Sequence, residues 1–121
     1  MYEGKSPIKL GDPTPIRDFI FEPDLLSAYE LAAISNNKKI IGESINIGTG
    51  KSVSIKQLAE KIRKITGYKG KIKWNSFPKR ALEIPKLEVD NSKAKRLLKW
   101  KPKATLNEGL KITSSYYSDR K

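Results

Sequence analysis

The chain has no cysteine and no histidine. Without cysteine there is no disulfide framework and no thiolate nucleophile. Without histidine the commonest general base and the commonest transition-metal ligand are missing together. No catalytic residue and no metal site are therefore expected among these 121 residues. Long apolar runs are also absent: none approaches the roughly 20 residues of a membrane span. The opening Met1-Tyr2-Glu3-Gly4-Lys5-Ser6-Pro7 carries no apolar stretch of signal-peptide type. A cytoplasmic protein without a membrane partner is the expectation.

Acidic residues are scarce in one half only. Residues 1–50 carry five basic and seven acidic side chains, whereas residues 51–121 carry twenty basic and six acidic, a net of +14. Such a field attracts anions, whether nucleic acid or phosphorylated small molecules. A solvated, lysine-rich surface accounts for many of these charges. Length and composition fit one domain over residues 1–121, long enough to bury roughly two-thirds of its unfolded surface.

Short strands and helices alternate along the chain. Ile8-Lys9-Leu10 is an extended run stopped by Gly11-Asp12-Pro13-Thr14-Pro15, where two prolines fix φ and withhold amides. Arg17-Asp18-Phe19-Ile20-Phe21 is β-prone. Asp24 can cap a helix from Leu25 to about Ile34, with Leu25, Ala28, Tyr29, Ala32 and Ala33 on one face. Ser44-Ile45-Asn46-Ile47-Gly48 has the alternation of a strand. Ser54 and Gln57 form a capping box for a helix that Gly67 ends. Lys71 to Trp74 and Leu87 to Val89 read as further strands. Asp90 can cap a helix carrying Ala94, Leu97 and Leu98. Thr105 and Glu108 open a last helix with Leu106, Leu110, Thr113 and Tyr117 inward. The fold class is α/β or α+β, a small domain of about four helices with short strands.

Two apparent motifs fail on spacing or position. Gly48-Thr49-Gly50-Lys51-Ser52 sits between a strand and a helix, but a P-loop needs glycine where Ile45 stands. A dinucleotide turn starting at Gly48 needs glycine where Val53 stands. Tyr117 and Lys121 have the spacing of a Tyr-x-x-x-Lys acid/base pair, yet they end the chain, where helices fray. No cofactor-binding site is expected here.

Two arginines stand out. Arg17 opens a strand after a proline-rich turn, and Arg80 lies in a loop bounded by Pro78 and Pro85. A guanidinium forks onto two phosphate oxygens, and each charge-assisted bond is worth about 1.5–3 kcal/mol net. Two such groups on separate loops can grip a diphosphate from two sides.

Read together, four blocks resemble the extended short-chain dehydrogenase/reductases, the NAD-dependent nucleotide-sugar epimerases and dehydratases. They are Gly11-Asp12-x-x-x-x-Arg17-Asp18-Phe19-Ile20-Phe21-x-x-Asp24, then Ile45-Asn46-Ile47-Gly48-Thr49-Gly50 with the Val53-Ser54-Ile55 helix start. Asp90-x-Ser92-Lys93-Ala94-Lys95-x-Leu97-Leu98-x-Trp100-x-Pro102 and Thr105-Leu106-x-Glu108-Gly109-Leu110 complete the order.

The resemblance, to UDP-glucose 4-epimerases among others, implies the C-terminal, substrate-binding portion of an extended Rossmann-type enzyme. The glycine-rich NAD turn and the Tyr-x-x-x-Lys set of the family's other half are not in this sequence. It implies that Arg17 and Arg80 contact the pyrophosphate of a UDP-, GDP- or dTDP-linked sugar. Glu83 would meet the ribose, and Phe19 and Ile55 would line the nucleoside side. The loop reads Arg80-Ala81-Leu82-Glu83 where the family carries Arg-Pro-Gly-Asp. The resemblance further implies packing of the Ile45 strand and the Leu25 helix on the family's other half. An apolar patch around Tyr29, Ile40 and Ile41 would then be open to self-association or to that half. The alternatives are a basic nucleic-acid-binding module and a non-catalytic partner of a separate catalytic subunit.

Overall fold

The computed structural model describes Met1 and residues 3–119. The elements run β1 (Ile8–Lys9), β2 (Ile16–Asp18), α1 (Glu22–Ile34), a 3-10 turn (Lys38–Ile40), β3 (Ser52–Ser54), α2 (Ile55–Thr66), β4 (Ile72–Lys73), β5 (Lys86–Leu87), α3 (Ser92–Leu98) and α4 (Leu106–Ser118). The four helices and short strands make the expected mixed α/β domain. β1 pairs in parallel with β4. β2 lies between β3, antiparallel, and β5, parallel.

The helices with local chemical signals begin where those signals stand. In α2 the Ser54 hydroxyl accepts from the Gln57 amide and the Gln57 side chain accepts from the Ser54 amide. Gly67, at φ 65°, closes it. α4 opens on the same reciprocal pair, Thr105 with Glu108. α3 differs: its N-cap is Asn91, which makes no side-chain cap bond, while the expected cap Asp90, two residues before Ser92, accepts from the Ser92 amide and hydroxyl.

α1 departs from expectation. It starts at Glu22, and Pro23 sits in the first turn, where a missing N–H removes no helical bond. Asp24 is inside the helix and does not cap it. Its carboxylate is buried and accepts from the Lys103 and Ala104 amides at 3.0 Å each. The Asp24 carbonyl and the Ser27 hydroxyl both accept from the Trp100 indole N–H at 3.0 Å. Trp100 is thereby fixed at the centre of a core with Ala28, Ala94 and Leu98. Among the described residues no buried side-chain polar atom lacks a partner, so carrying these groups inward avoids the penalty of unpaired polar burial.

Three other expectations are corrected. The β-prone run from Arg17 to Phe21 forms ladder bonds only to Asp18, because its neighbours β3 and β5 are themselves short. Ser44–Gly48 forms no strand: no other described strand pairs with it, and a ladder needs a second backbone. Its Ile45 and Ile47 still pack against the Trp100 cluster. In α4 the buried position is Gly109, while Thr113 and Tyr117 are exposed. A Cβ on Gly109 would come within 3.1–3.2 Å of Phe21. The expected apolar patch is also altered. Tyr29 and Ile41 are exposed, and Ile34 with them, but Ile40 packs against the core.

Candidate functional site

Strand pairing brings the two arginine loops together. Arg17 lies on the middle strand, opposite Val53 of β3 and Leu87 of β5. β3 runs directly into α2, which places Ile55 beside Arg17's strand. The Ile55 amide donates to the Pro15 carbonyl and the Lys56 amide to the Pro13 carbonyl, both at 3.0 Å, so the proline-rich loop is tied to the helix start. The Ile16 amide donates to the Pro85 carbonyl at 2.9 Å, which folds the 77–85 loop back over β2.

Between these loops lies a cleft of about 490 Å³ whose lining includes Gly11, Arg17, Ile55, Phe77, Arg80 and Glu83. Four residues singled out in the sequence, Arg17, Ile55, Arg80 and Glu83, thus share one wall-to-wall space. Phe19 does not line it. Beyond the end of β2, Phe19 instead faces two neighbouring hollows bordered by α2 and α4.

The cleft is charged and internally paired. Arg17 and Glu83 form an ion pair, each side chain less than one-third exposed. Arg17 also donates through Nη1 to its neighbour's carbonyl at Ile16, 2.7 Å away. Lys79 pairs with Asp12 at 2.9 Å. The Thr14 hydroxyl, 2.7 Å away, does most to hold the Asp12 carboxyl down at about 2, helped by Lys79 and the Thr14 amide. Asp12, Phe77 and Lys79 were not singled out in the sequence. The Asp-x-Thr turn was a readable signal for the first, but the Lys79 pairing joins positions too far apart for spacing to show.

The glycine turn after Ile47 is already filled. The Asp18 carboxylate accepts from the Thr49 amide at 3.0 Å, the Gly50 amide at 2.8 Å and the Thr49 hydroxyl. The buried Asn91 side chain donates to the Gly48 carbonyl at 2.8 Å. A Cβ on Gly48 would fall 2.5 Å from Val89 Cβ. The turn's amides hold an internal anion, and its glycine admits Val89, two residues past β5. These residues do not fit a dinucleotide pyrophosphate. Tyr117 stacks edge-on against Tyr116, and its spaced partner Lys121 lies outside the described residues.

Residues 1–113 match the family described as GDP-mannose 4,6 dehydratase. The chain belongs to this family. Its relatives confirm the extended short-chain dehydrogenase/reductase resemblance. The UDP-glucuronate 4-epimerase of Thermodesulfobacterium geofontis is 36% identical over 96% of this chain and 34% of its own length. Among solved structures, the UDP-glucose 4-epimerase of Thermotoga maritima with UDP-glucose superposes with a TM-score of 0.87 at 33% identity, covering 99% of this chain and 37% of that one. The Bacillus cereus UDP-glucuronic acid 4-epimerase in complex with UDP-glucuronic acid and NAD gives 0.83 at 30% identity, covering 99% and 37%. This family member spans about a third of the length of the curated relatives it matches. Among the described residues no helix is long and apolar enough to cross a membrane.

Proposed function

We propose that this chain binds the nucleoside diphosphate part of a sugar nucleotide, as the substrate-binding portion of a nucleotide-sugar epimerase or dehydratase. The supporting observation is the shared cleft of Arg17 and Arg80, two cations from a strand and a loop distant in sequence. Arg17 is rooted on the middle strand and Arg80 on a proline-bounded loop, so a diphosphate between them is held without ordering a long flexible segment. Glu83 supplies a carboxylate acceptor for ribose hydroxyls. Ile55 and Phe77 offer apolar surface for the nucleoside. The Bacillus cereus relative contains NAD as well as its sugar nucleotide. Hydride chemistry and the NAD site belong, on this reading, to another portion of the enzyme. The exposed Tyr29, Ile34 and Ile41 are the surface on which that portion docks.

Titration calorimetry with UDP and with UDP-glucose tests the reading. Arg17→Ala and Arg80→Ala should each weaken binding by about 10- to 100-fold, the loss of a charge-assisted pair of contacts. Binding unchanged by either substitution, or no binding of any nucleoside diphosphate at about millimolar ligand, would contradict it.

A further inference from the structure

A further hollow, of about 370 Å³, is lined by Phe19, Thr49, Lys51, Lys61, Lys103 and Asn107 among others. Three lysines line it and no lining residue is acidic. Their roots are fixed by three different devices. Lys51 follows Thr49, whose hydroxyl accepts from the Lys51 amide at 3.1 Å and is itself held by Asp18. Lys61 rides on α2. The Lys103 amide is held by the buried Asp24 carboxylate at 3.0 Å. None of the three takes part in an ion pair among the described residues; Lys61 Nζ donates only to Asn107 Oδ1, at 3.0 Å. The neighbouring carboxylates are already engaged, Asp18 by Thr49 and Gly50, and Glu108 by Thr105.

We propose that this hollow is a second anion site, for an organic phosphate whose apolar or aromatic part lies against Phe19. Cations without internal counter-charge raise the local concentration of anions. A pocket that pairs a few polar groups with apolar wall selects an anion carrying a hydrophobic portion over a bare ion. The hollow shares no lining residue with the Arg17–Arg80 cleft.

The test is amide chemical-shift mapping of the whole chain with inorganic phosphate and with phenyl phosphate. Saturable shifts are expected at Thr49, Lys61, Lys103 and Asn107, with phenyl phosphate binding several-fold tighter. The double variant K61Q/K103Q should weaken this response by about tenfold, and K61R/K103R should retain it. R17A/R80A should leave it intact, which separates this site from the first. Absence of saturable shifts at about 10 mM ligand, equal affinity for both probes, or an undiminished response in a folded K61Q/K103Q protein would overturn the proposal.

Discussion

Arg17 and Glu83, both proposed to contact the nucleotide, form an ion pair within the cleft. The pair has a functional consequence. A diphosphate reaching Arg17 must compete with the Glu83 carboxylate, while ribose hydroxyls can take up the acceptor so released. Glu83→Gln should therefore strengthen binding of inorganic pyrophosphate about two- to fivefold, the value of a partly exposed ion pair. UDP should gain less, because the stronger acceptor for ribose is gone. Calorimetry with both ligands checks this; equal gains would detach Glu83 from the ribose.

Asp24 is the polar keystone between α1 and the segment leading into α4. Replacing it by alanine leaves the Lys103 and Ala104 amides without acceptors in a part-buried setting and removes a buried carboxylate. Asp24→Ala should destabilise the chain by about 2–4 kcal/mol in urea unfolding. Asp24→Asn, which keeps one acceptor oxygen, should cost less.

The contrast between Asp24 and Ser54 shows what the sequence could reveal. Ser54 and Thr105 meet partners three residues away, so their capping boxes were legible from spacing alone. Asp24 looks like a cap in sequence but bonds amides 79 and 80 positions later. Ser44–Gly48 carries strand alternation, yet forming a strand requires a partner that no local pattern supplies. The arginines were legible as candidates by residue type and loop context. Their convergence depended on the register of β2 with β5, and the Asp18–Gly50 contact depended on loop packing.

α3 ends on Lys99 in the left-handed region at φ 54°, its amide bonded to the Ala94 carbonyl. A side chain there is strained where glycine is not. Lys99→Gly should stabilise the protein by about 0.5–1 kcal/mol, read from thermal or urea unfolding. Gly67→Ala, at the matching position of α2, should shift stability by about 1 kcal/mol in the opposite direction.

Asp12 links the proline-rich loop to Lys79 beside the cleft. Its carboxyl is lowered from 3.8 to about 2, chiefly by the Thr14 hydroxyl. A depressed folded value means that the tie is fully present above pH 3.8 and is lost as pH falls through about 2. Thr14→Val removes the hydroxyl donor and should move the Asp12 midpoint upward toward 3.8. Carboxyl carbon NMR titration measures both midpoints, and an unmoved midpoint would assign the shift to another cause.

A crystal structure of the chain grown with UDP puts the proposed function to its most direct trial. The expected result is a diphosphate lying between the guanidinium groups of Arg17 and Arg80, with phosphate oxygens in hydrogen-bond reach of both and the ribose toward Glu83. A diphosphate bound elsewhere, or touching only one of the two arginines, would contradict the account.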